Sequence, residues 1–294
     1  MYYFLLYDKE FRWLNFLYKL KYNKFKPIGG LKMDKTIKLA TYNIVHCLDF
    51  STFKKGDNPG ELSVNIEGLA KAVKTLDADI IGLNEVYNTT VFERSPEHGC
   101  QAQKIASIAD YPFSVFGRGY LFTHNGQDIG NAILSRYMIT SLNTYPILAP
   151  TEEERRPNEN EWYEDRIIVK TEVDFNGEKI CVISTHFGLN YLERERMVDK
   201  LIEIIDETKI PLIVMGDFNS TPTYERKYIQ PLFDRLISAT AITGKELVPT
   251  FSTYDPKLPI DYIFVSKHFE VLDCHIPNLK NSDHFPVTAT VKLK

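Results

Sequence analysis

The sequence predicts an α/β protein in which two mainly antiparallel sheets pack face to face with helices outside. Three observations carry this reading. From Met33 onward, apolar runs of strand length alternate with amphipathic helical stretches. A strand–helix–strand unit whose strands end in polar groups occurs twice, once in each half of the chain. Several of the remaining short apolar runs favour antiparallel pairing.

Residues 1–32 stand apart from this pattern. They carry ten aromatics interleaved with lysine and arginine. No apolar stretch among them approaches the ~20 residues that a spanning helix needs. Two readings apply: an extension upstream of a native start at Met33, or a basic amphipathic helix lying on a membrane surface. "MDKTIKLATYN" reads as a domain opening, so the first is favoured over membrane contact. No low-complexity linker interrupts 33–294, which is expected to form one domain.

Within that domain the first unit runs from the strand "TIKLATYN" (36–43), through a helix, to the strand "DIIGLNEV" (79–86). In the helix, Ile66, Leu69, Ala70, Val73 and Leu76 recur at helical spacing and make one buried face. Strands follow at "FSVFGR" (113–118), "NAILSR" (131–136) and "RIIVKTEV" (166–173). The second unit starts with "KICVISTHF" (179–187). Asn190 and Glu193 then form a capping box for a helix over 191–208, with Val198, Leu201, Ile202 and Ile205 inward. "PLIVMGDFN" (211–219) closes the unit, and "DYIFVS" (261–266) and "PVTATVKL" (286–293) add two strands. Long polar connections are expected at 51–62, 87–100, 118–128, 149–165 and 240–258, as loops that surround a site often are.

Composition narrows the function only slightly. A hydrophobic content of 44% and a charged content of 25% are ordinary for a soluble domain. The net charge of −4 provides no global basic field for nucleic acid. Cys47, Cys100, Cys181 and Cys274 are scattered without a CxxC pair, which points to free thiols in a reducing, cytoplasmic compartment.

The informative residues are the polar ones at the ends of apolar runs: Asn43, Glu85, His186, Asp217, Asn219, Asp261, Asp283 and His284. Singly, each fits a turn, a solvated strand end or a satisfied core histidine. Together they put several carboxylates on a common rim without lysine or arginine partners, an arrangement that repels itself. A divalent cation removes that cost. Oxygen donors suit Mg2+ or Mn2+, and no Cys/His cluster has zinc spacing. Two histidines beside a hard cation suggest phosphate neutralisation and proton transfer. Asp217 and Asn219, two apart, would share a side of the backbone if the strand persists through Phe218, with Phe218 turned into the packing.

The ordered set "TYN", "GLNEV", "GNAILSR", "STHF", "GDFNSTP", "PIDYIFVS" and "SDHFPV" resembles the endonuclease/exonuclease/phosphatase superfamily over about residues 36–294. The resemblance implies a four-layer α/β/β/α sandwich and a catalytic domain over 33–294. It implies Glu85 as principal metal ligand, with Asn43 completing or orienting that shell and Asp283 as a further metal or water carboxylate. Asp217 and Asn219 would hold the attacking water and a phosphate oxygen. His284 would meet the phosphate or relay a proton, oriented and kept protonated by Asp261, and His186 would contact the phosphate or assist the leaving group. Arg166 resembles a phosphate-contacting arginine, although a strand-edge charge paired with Glu164 or Asp165 explains it as well. The chain departs from most relatives in having Asn84, one methylene shorter than the usual glutamine, before the metal glutamate.

The expected activity is Mg2+- or Mn2+-dependent hydrolysis of a phosphodiester or phosphomonoester by water, on a small or single-stranded substrate. The acidic segment "TEEERRPNENEWYED" would repel a long DNA backbone if it faced the site, which favours a small ester. A DNase-like endonuclease, a sphingomyelinase-like lipid phosphodiesterase and a non-catalytic binding module of the same fold remain alternatives. Nucleic acid and phospholipid are therefore both candidate substrates, and no protein partner is inferred. Arg94, Glu97, His98, Cys100, Arg118, Tyr120, Phe122 and His124 on two of the long connections are candidate readers of a base or sugar, with loop packing the favoured explanation.

Overall fold

A computed structural model describes residues 35–89, 100–122, 127–157 and 162–294. Residues Thr36–Lys294 form one compact unit. The extension 1–32 and the candidate readers Arg94, Glu97, His98 and His124 lie outside the described residues.

Among the described residues, twelve strands and five α-helices follow one another as β1 (Thr36–Asn43), α1 (Ile66–Thr75), β2 (Ile80–Thr89), α2 (Gln101–Ile108), β3 (Phe113–Phe122), β4 (Gln127–Ser135), β5 (Met138–Ile147), β6 (Arg166–Phe175), β7 (Glu178–His186), α3 (Tyr191–Glu207), β8 (Leu212–Asp217), α4 (Arg226–Phe233), β9 (Ile237–Ser238), α5 (Ala239–Ile242), β10 (Asp261–Val265), β11 (Phe269–His275) and β12 (Val287–Leu293). They build two six-stranded sheets, ordered β11-β12-β1-β2-β4-β3 and β5-β6-β7-β8-β10-β9. The only parallel pairs among the described residues are β1 with β2 and β7 with β8. These are the two strand–helix–strand units read from the sequence, and the other pairings are antiparallel.

Strand alternation explains the layering. In β1, Ile37 and Leu39 face the core between the sheets, while Ala40 and Tyr42 face α1 and α2. In β7 and β8, Val182, Ile213 and Met215 face inward, while Ile183 and Val214 meet Met197 and Leu201 of α3. Three apolar layers thus hold four structural layers together, as expected for the α/β/β/α sandwich. The cap of α3 also forms, since Glu193 Oε2 accepts a hydrogen bond from the Asn190 N–H at 3.1 Å. The inward face of α3 includes Met197 and Ile204, and Ile202 sits at its margin.

Several elements differ from the sequence reading, each for a physical reason. The edge strand β5 was not read because its exposed, Ser/Thr/Asn-rich face lacks an apolar run. Helix α4 contains Pro231, which argues against a helix in sequence terms. The connection expected over 118–128 shrinks, because β3 continues to Phe122 and β4 begins at Gln127. Likewise β2 runs on through Thr89, and α5 occupies the start of the connection expected over 240–258. All four cysteines are unpaired. Among the described residues no helix is long and apolar enough to cross a membrane.

Candidate active site

The C-terminal ends of the two parallel pairs meet at one rim, and hydrogen bonds cross between the sheets there. Asn43, at the end of β1, donates through Nδ2 to Glu85 Oε1 at 2.9 Å and to Asp217 Oδ2 at 3.1 Å. Its Oδ1 is taken by the Val45 N–H at 3.1 Å. Asn84 is fully buried and satisfied on both sides. It donates to Asn131 Oδ1 at 2.8 Å and to the Thr185 carbonyl at 2.9 Å, and accepts from the Asp217 N–H at 3.0 Å. The shorter amide in place of glutamine therefore ties β2 to the ends of β7 and β8.

Glu85 reaches the rim through an irregularity. The register of β2 against β4 slips between Leu83 and Val86, and Glu85 takes a left-handed φ of 53°. A bulge of this kind re-aims a side chain that regular alternation would turn elsewhere. On the other unit, Gly216 lets the backbone crowd the rim, since a Cβ there would lie 1.8 Å from the Thr185 carbonyl oxygen. Strand β8 ends at Asp217, and Asn219 has a φ of 44°, so the strand does not persist through Phe218 as the spacing argument required. Asn219 reaches the site by a turn instead, its N–H bonded to Asp217 Oδ1 at 2.8 Å. Phe218 is buried against Phe187, Tyr262 and Phe264, as expected.

Asp261 opens β10 directly opposite Asp217 in the ladder. His284 lies between the two carboxylates, with Nδ1 2.9 Å from Asp261 Oδ2 and Nε2 3.6 Å from Asp217 Oδ2. Its segment is fixed to β1, because Ser282 Oγ donates to the Asn43 carbonyl at 2.7 Å. Arg166, opening β6, lies 3.1 Å from Glu164, the ion pair that the sequence allowed for it, and 3.2 Å from His186 Nδ1. The guanidinium and the Asn219 amide nitrogen, 3.1 Å from His186 Nε2, both present donors to this ring, and a neutral imidazole accepts from only one of them. His186 Nε2 also faces Asp217 Oδ2 at 3.5 Å. Asn219 Nδ2 donates to the Phe187 carbonyl at 2.8 Å.

Electrostatics separate these groups. Burial alone would raise the Glu85 pKa, but His46, His186, the Asn43 amide and His284 outweigh it and hold the carboxyl down at about 2. Asp217 goes the other way: burial, then the facing Asp261, pushes it well above the usual carboxylate range. Asp283 is pushed up to about 6 by burial, with Glu85 adding to it. Burial would neutralise His284, yet Asp261, Asp217 and Asp283 raise it well above an ordinary histidine. His186 is lowered by burial and by Arg166, so it is neutral near pH 7.

One cavity of about 530 Å3 is lined by Glu85, Arg166, His186, Asp217, Asn219, Asp283 and His284. Asn43 and Asp261 stand immediately behind it through the bonds given above. The predicted residues thus converge. Of the predicted readers whose side chains are described, Arg118 is exposed and 3.6 Å from Asp128, and Cys100 stands at the N-cap of α2; neither lines the cavity. The sequence reading missed His46, Trp162, Glu164, Arg194, Tyr224 and Glu225, which also line the cavity. His46, three residues beyond Asn43, carried the same signal of a polar group past a strand end. Arg194 sits in "YLERERM" and looks like one charge on a solvated helix face.

The residues 62–284 match the model of the Endonuclease/Exonuclease/phosphatase family, which is more than half of the chain. A curated relative, a UPF0294 protein of Vibrio vulnificus strain YJ016, is 30% identical over 121 residues, 40% of this chain. The chain spans about 41% of that relative's length. The fold is similar to that of an endonuclease/exonuclease/phosphatase from Beutenbergia cavernae, with a TM-score of 0.69 at 22% identity, covering 88% of this chain and 72% of that one. It is also similar to the mannosyl-6-phosphatase of Bacteroides thetaiotaomicron, with a TM-score of 0.58 at 18% identity, covering 87% and 99% of the two chains. With the rim geometry and the family match in agreement, the chain belongs to the endonuclease/exonuclease/phosphatase family.

Proposed function

We propose that residues 33–294 form a divalent-cation-dependent phosphoesterase that hydrolyses a small phosphodiester or phosphomonoester by attack of water. The observation that carries this reading is the line Asp261–His284–Asp217, with its 2.9 Å and 3.6 Å spacings, facing the same cavity as Glu85 and Asp283. A cationic imidazole between two carboxylates can meet a phosphate oxyanion without losing its proton near neutral pH.

The donors present fit a hard cation. Glu85, Asp217 and Asp283 crowd one cavity, and burial together with the neighbouring carboxylates raises the pKa values of Asp217 and Asp283. In this reading Glu85 and Asp283 hold Mg2+ or Mn2+. Asn43 orients Glu85 and Asp217 through its amide nitrogen, while its oxygen accepts from the Val45 N–H. A bound divalent cation supplies charge neutralisation for phosphate oxygens and acidifies water.

The chain's own groups do the rest. Asp217, with a pKa moved toward neutrality, takes a proton from the attacking water, and Asn219 orients that water or a phosphate oxygen. His284 binds the phosphate while Asp261 keeps the ring aligned. His186 contacts the phosphate or assists the leaving group, and Arg166 holds the ring from behind. The cavity wall sets Arg166 and Arg194 against Glu85, Glu164, Asp217, Glu225 and Asp283, which supports a small ester over a long polyanion.

The experiment is a substrate panel run with Mg2+, Mn2+ and EDTA: a diester reporter, a monoester reporter, sugar and inositol phosphates, single-stranded and supercoiled nucleic acid, and sphingomyelin. Cation-dependent turnover of a small ester, absent in His284→Ala, supports the reading. Turnover insensitive to EDTA, or no turnover of any ester, refutes it.

A further inference from the structure

His46 lines the cavity, and the hydrolytic reading leaves it without a task. Its ring is held with unusual firmness. Val45, His46 and Cys47 are three consecutive non-glycine residues at left-handed φ values of 36°, 56° and 63°. Such backbone is costly and persists only where the surroundings impose it. Here the Val45 N–H bonds Asn43 Oδ1 at 3.1 Å, Gln101 Nε2 donates to the His46 carbonyl at 2.7 Å, and the Asn65 N–H bonds the Cys47 carbonyl at 2.8 Å. Buried Gln101 also accepts from the Tyr87 N–H at 2.9 Å, and the His46 ring stacks on Tyr87 at 3.8 Å. Strained backbone, a buried amide and a stacked ring all fix one side chain.

That side chain is aimed at Glu85. His46 Nδ1 lies 3.0 Å from the Glu85 carbonyl oxygen, which only accepts, so Nδ1 carries the proton. Nε2 then points into the cavity, 3.4 Å from Glu85 Oε2. The other carboxylate oxygen, Oε1, is occupied by Asn43, and among the described residues Glu85 has no lysine or arginine ion pair. An N–H bound to a carbonyl with the second ring nitrogen turned to a shared space is how metal-ligating histidines are oriented. Two ligands about 2.1 Å from one ion and roughly perpendicular lie about 3.0 Å apart, a few tenths of an ångström from the observed spacing.

We propose that His46 Nε2 and Glu85 Oε2 are adjacent ligands of one divalent cation, giving the site a mixed nitrogen–oxygen character that favours Mn2+ over Mg2+. This rests on the cation-dependent reading above. Imidazole adds little for Mg2+, which prefers oxygen and water, and more for the transition ion.

The test is cation binding to the full chain, by calorimetry with Mn2+ and Mg2+ and by pulsed electron paramagnetic resonance of bound Mn2+. The variants are His46→Asn, which tolerates left-handed backbone, and Glu85→Gln, with circular dichroism to verify folding. The expected result is nitrogen coupling to Mn2+ in the wild type that is lost in His46→Asn. Mn2+ affinity should fall about 10-fold or more in that variant while Mg2+ affinity moves less than about threefold. Nitrogen coupling that persists in His46→Asn, or is absent from the wild type, overturns the assignment of His46 while leaving Glu85 as a cation ligand if Glu85→Gln abolishes binding. A wild type that binds neither ion overturns the cation-dependent reading as well.

Discussion

The two parallel strand–helix–strand units bring a carboxylate to the same rim by opposite means. In the first, Glu85 is delivered by a bulge and left-handed backbone, remains partly exposed, and is surrounded by His46, the Asn43 amide, His186 and His284. In the second, Asp217 ends a regular strand, is 1% exposed, and faces Asp261 across the ladder. The first carboxyl is held ionised down to about pH 2, and the second is pushed toward neutrality. Environments that drive two acids apart assign them different work. One suits a permanent charge that anchors a cation, and the other suits a group that gains and loses a proton during turnover.

The most severe way to break the environment of Asp217 is to remove the imidazole that faces it. His284→Ala is expected to lower kcat/KM by about 10^3–10^4-fold, and Asp261→Asn by about 10^2–10^3-fold with an unchanged circular dichroism spectrum. Histidine NMR titration checks the cause, since Asp261→Asn should let the His284 ring lose its proton at lower pH. Wild-type-like kinetics in Asp261→Asn would sink the dyad.

Stability variants test the packing inside the second unit and the bridge between the two. Gly216→Ala would set a Cβ 1.8 Å from the Thr185 carbonyl oxygen, so chemical denaturation should show a loss of about 3 kcal/mol. Asn84→Ala strands the Asp217 N–H and the Thr185 carbonyl, and a loss of about 2–3 kcal/mol is expected. A loss below about 0.5 kcal/mol would show that the amide bridge is dispensable.

The smallest effect is on pH dependence in EDTA. Asp217 and Asp283 keep their protons in the native state to higher pH than the ~3.9 of an unfolded aspartate. Their contribution is therefore full below about pH 4 and is lost as pH rises through the folded values, Asp283 near 6. His284, also raised, adds stability present below its ordinary pKa and lost above its folded one. His186 and His46, both lowered by burial, oppose this loss up to about pH 6.5. The cation-free protein should thus lose on the order of 1 kcal/mol between pH 6.5 and 7.5, and added Mn2+ should raise Tm more at pH 7.5 than at pH 5. An equal Mn2+ effect at both pH values would speak against carboxylates that lack a counter-charge.

The sequence made much of this molecule legible, and where it failed the cause is local. β1 is readable end to end because Ile37, Leu39, Ala40 and Tyr42 fill both faces of a central strand. The rim residues were readable because each interrupts an apolar run. β5 hid because an edge strand buries little, and α4 hid behind Pro231. Period-two reasoning misjudged Asn219, which reaches the site through a left-handed turn, and could not foresee the bulge that aims Glu85. Trp162, Glu164 and Tyr224 became cavity residues only through connections whose course no periodicity encodes.

The division of labour between the units has one direct measurement: the Mn2+ dependence of turnover on the best ester, in wild type, Glu85→Gln and Asp217→Asn. Glu85→Gln is expected to raise the Mn2+ needed for half-maximal rate by about 10–100-fold. Asp217→Asn should leave that requirement within about threefold while lowering kcat by about 100-fold or more. The same shift in Mn2+ requirement for both variants, with kcat lowered equally, would contradict the account.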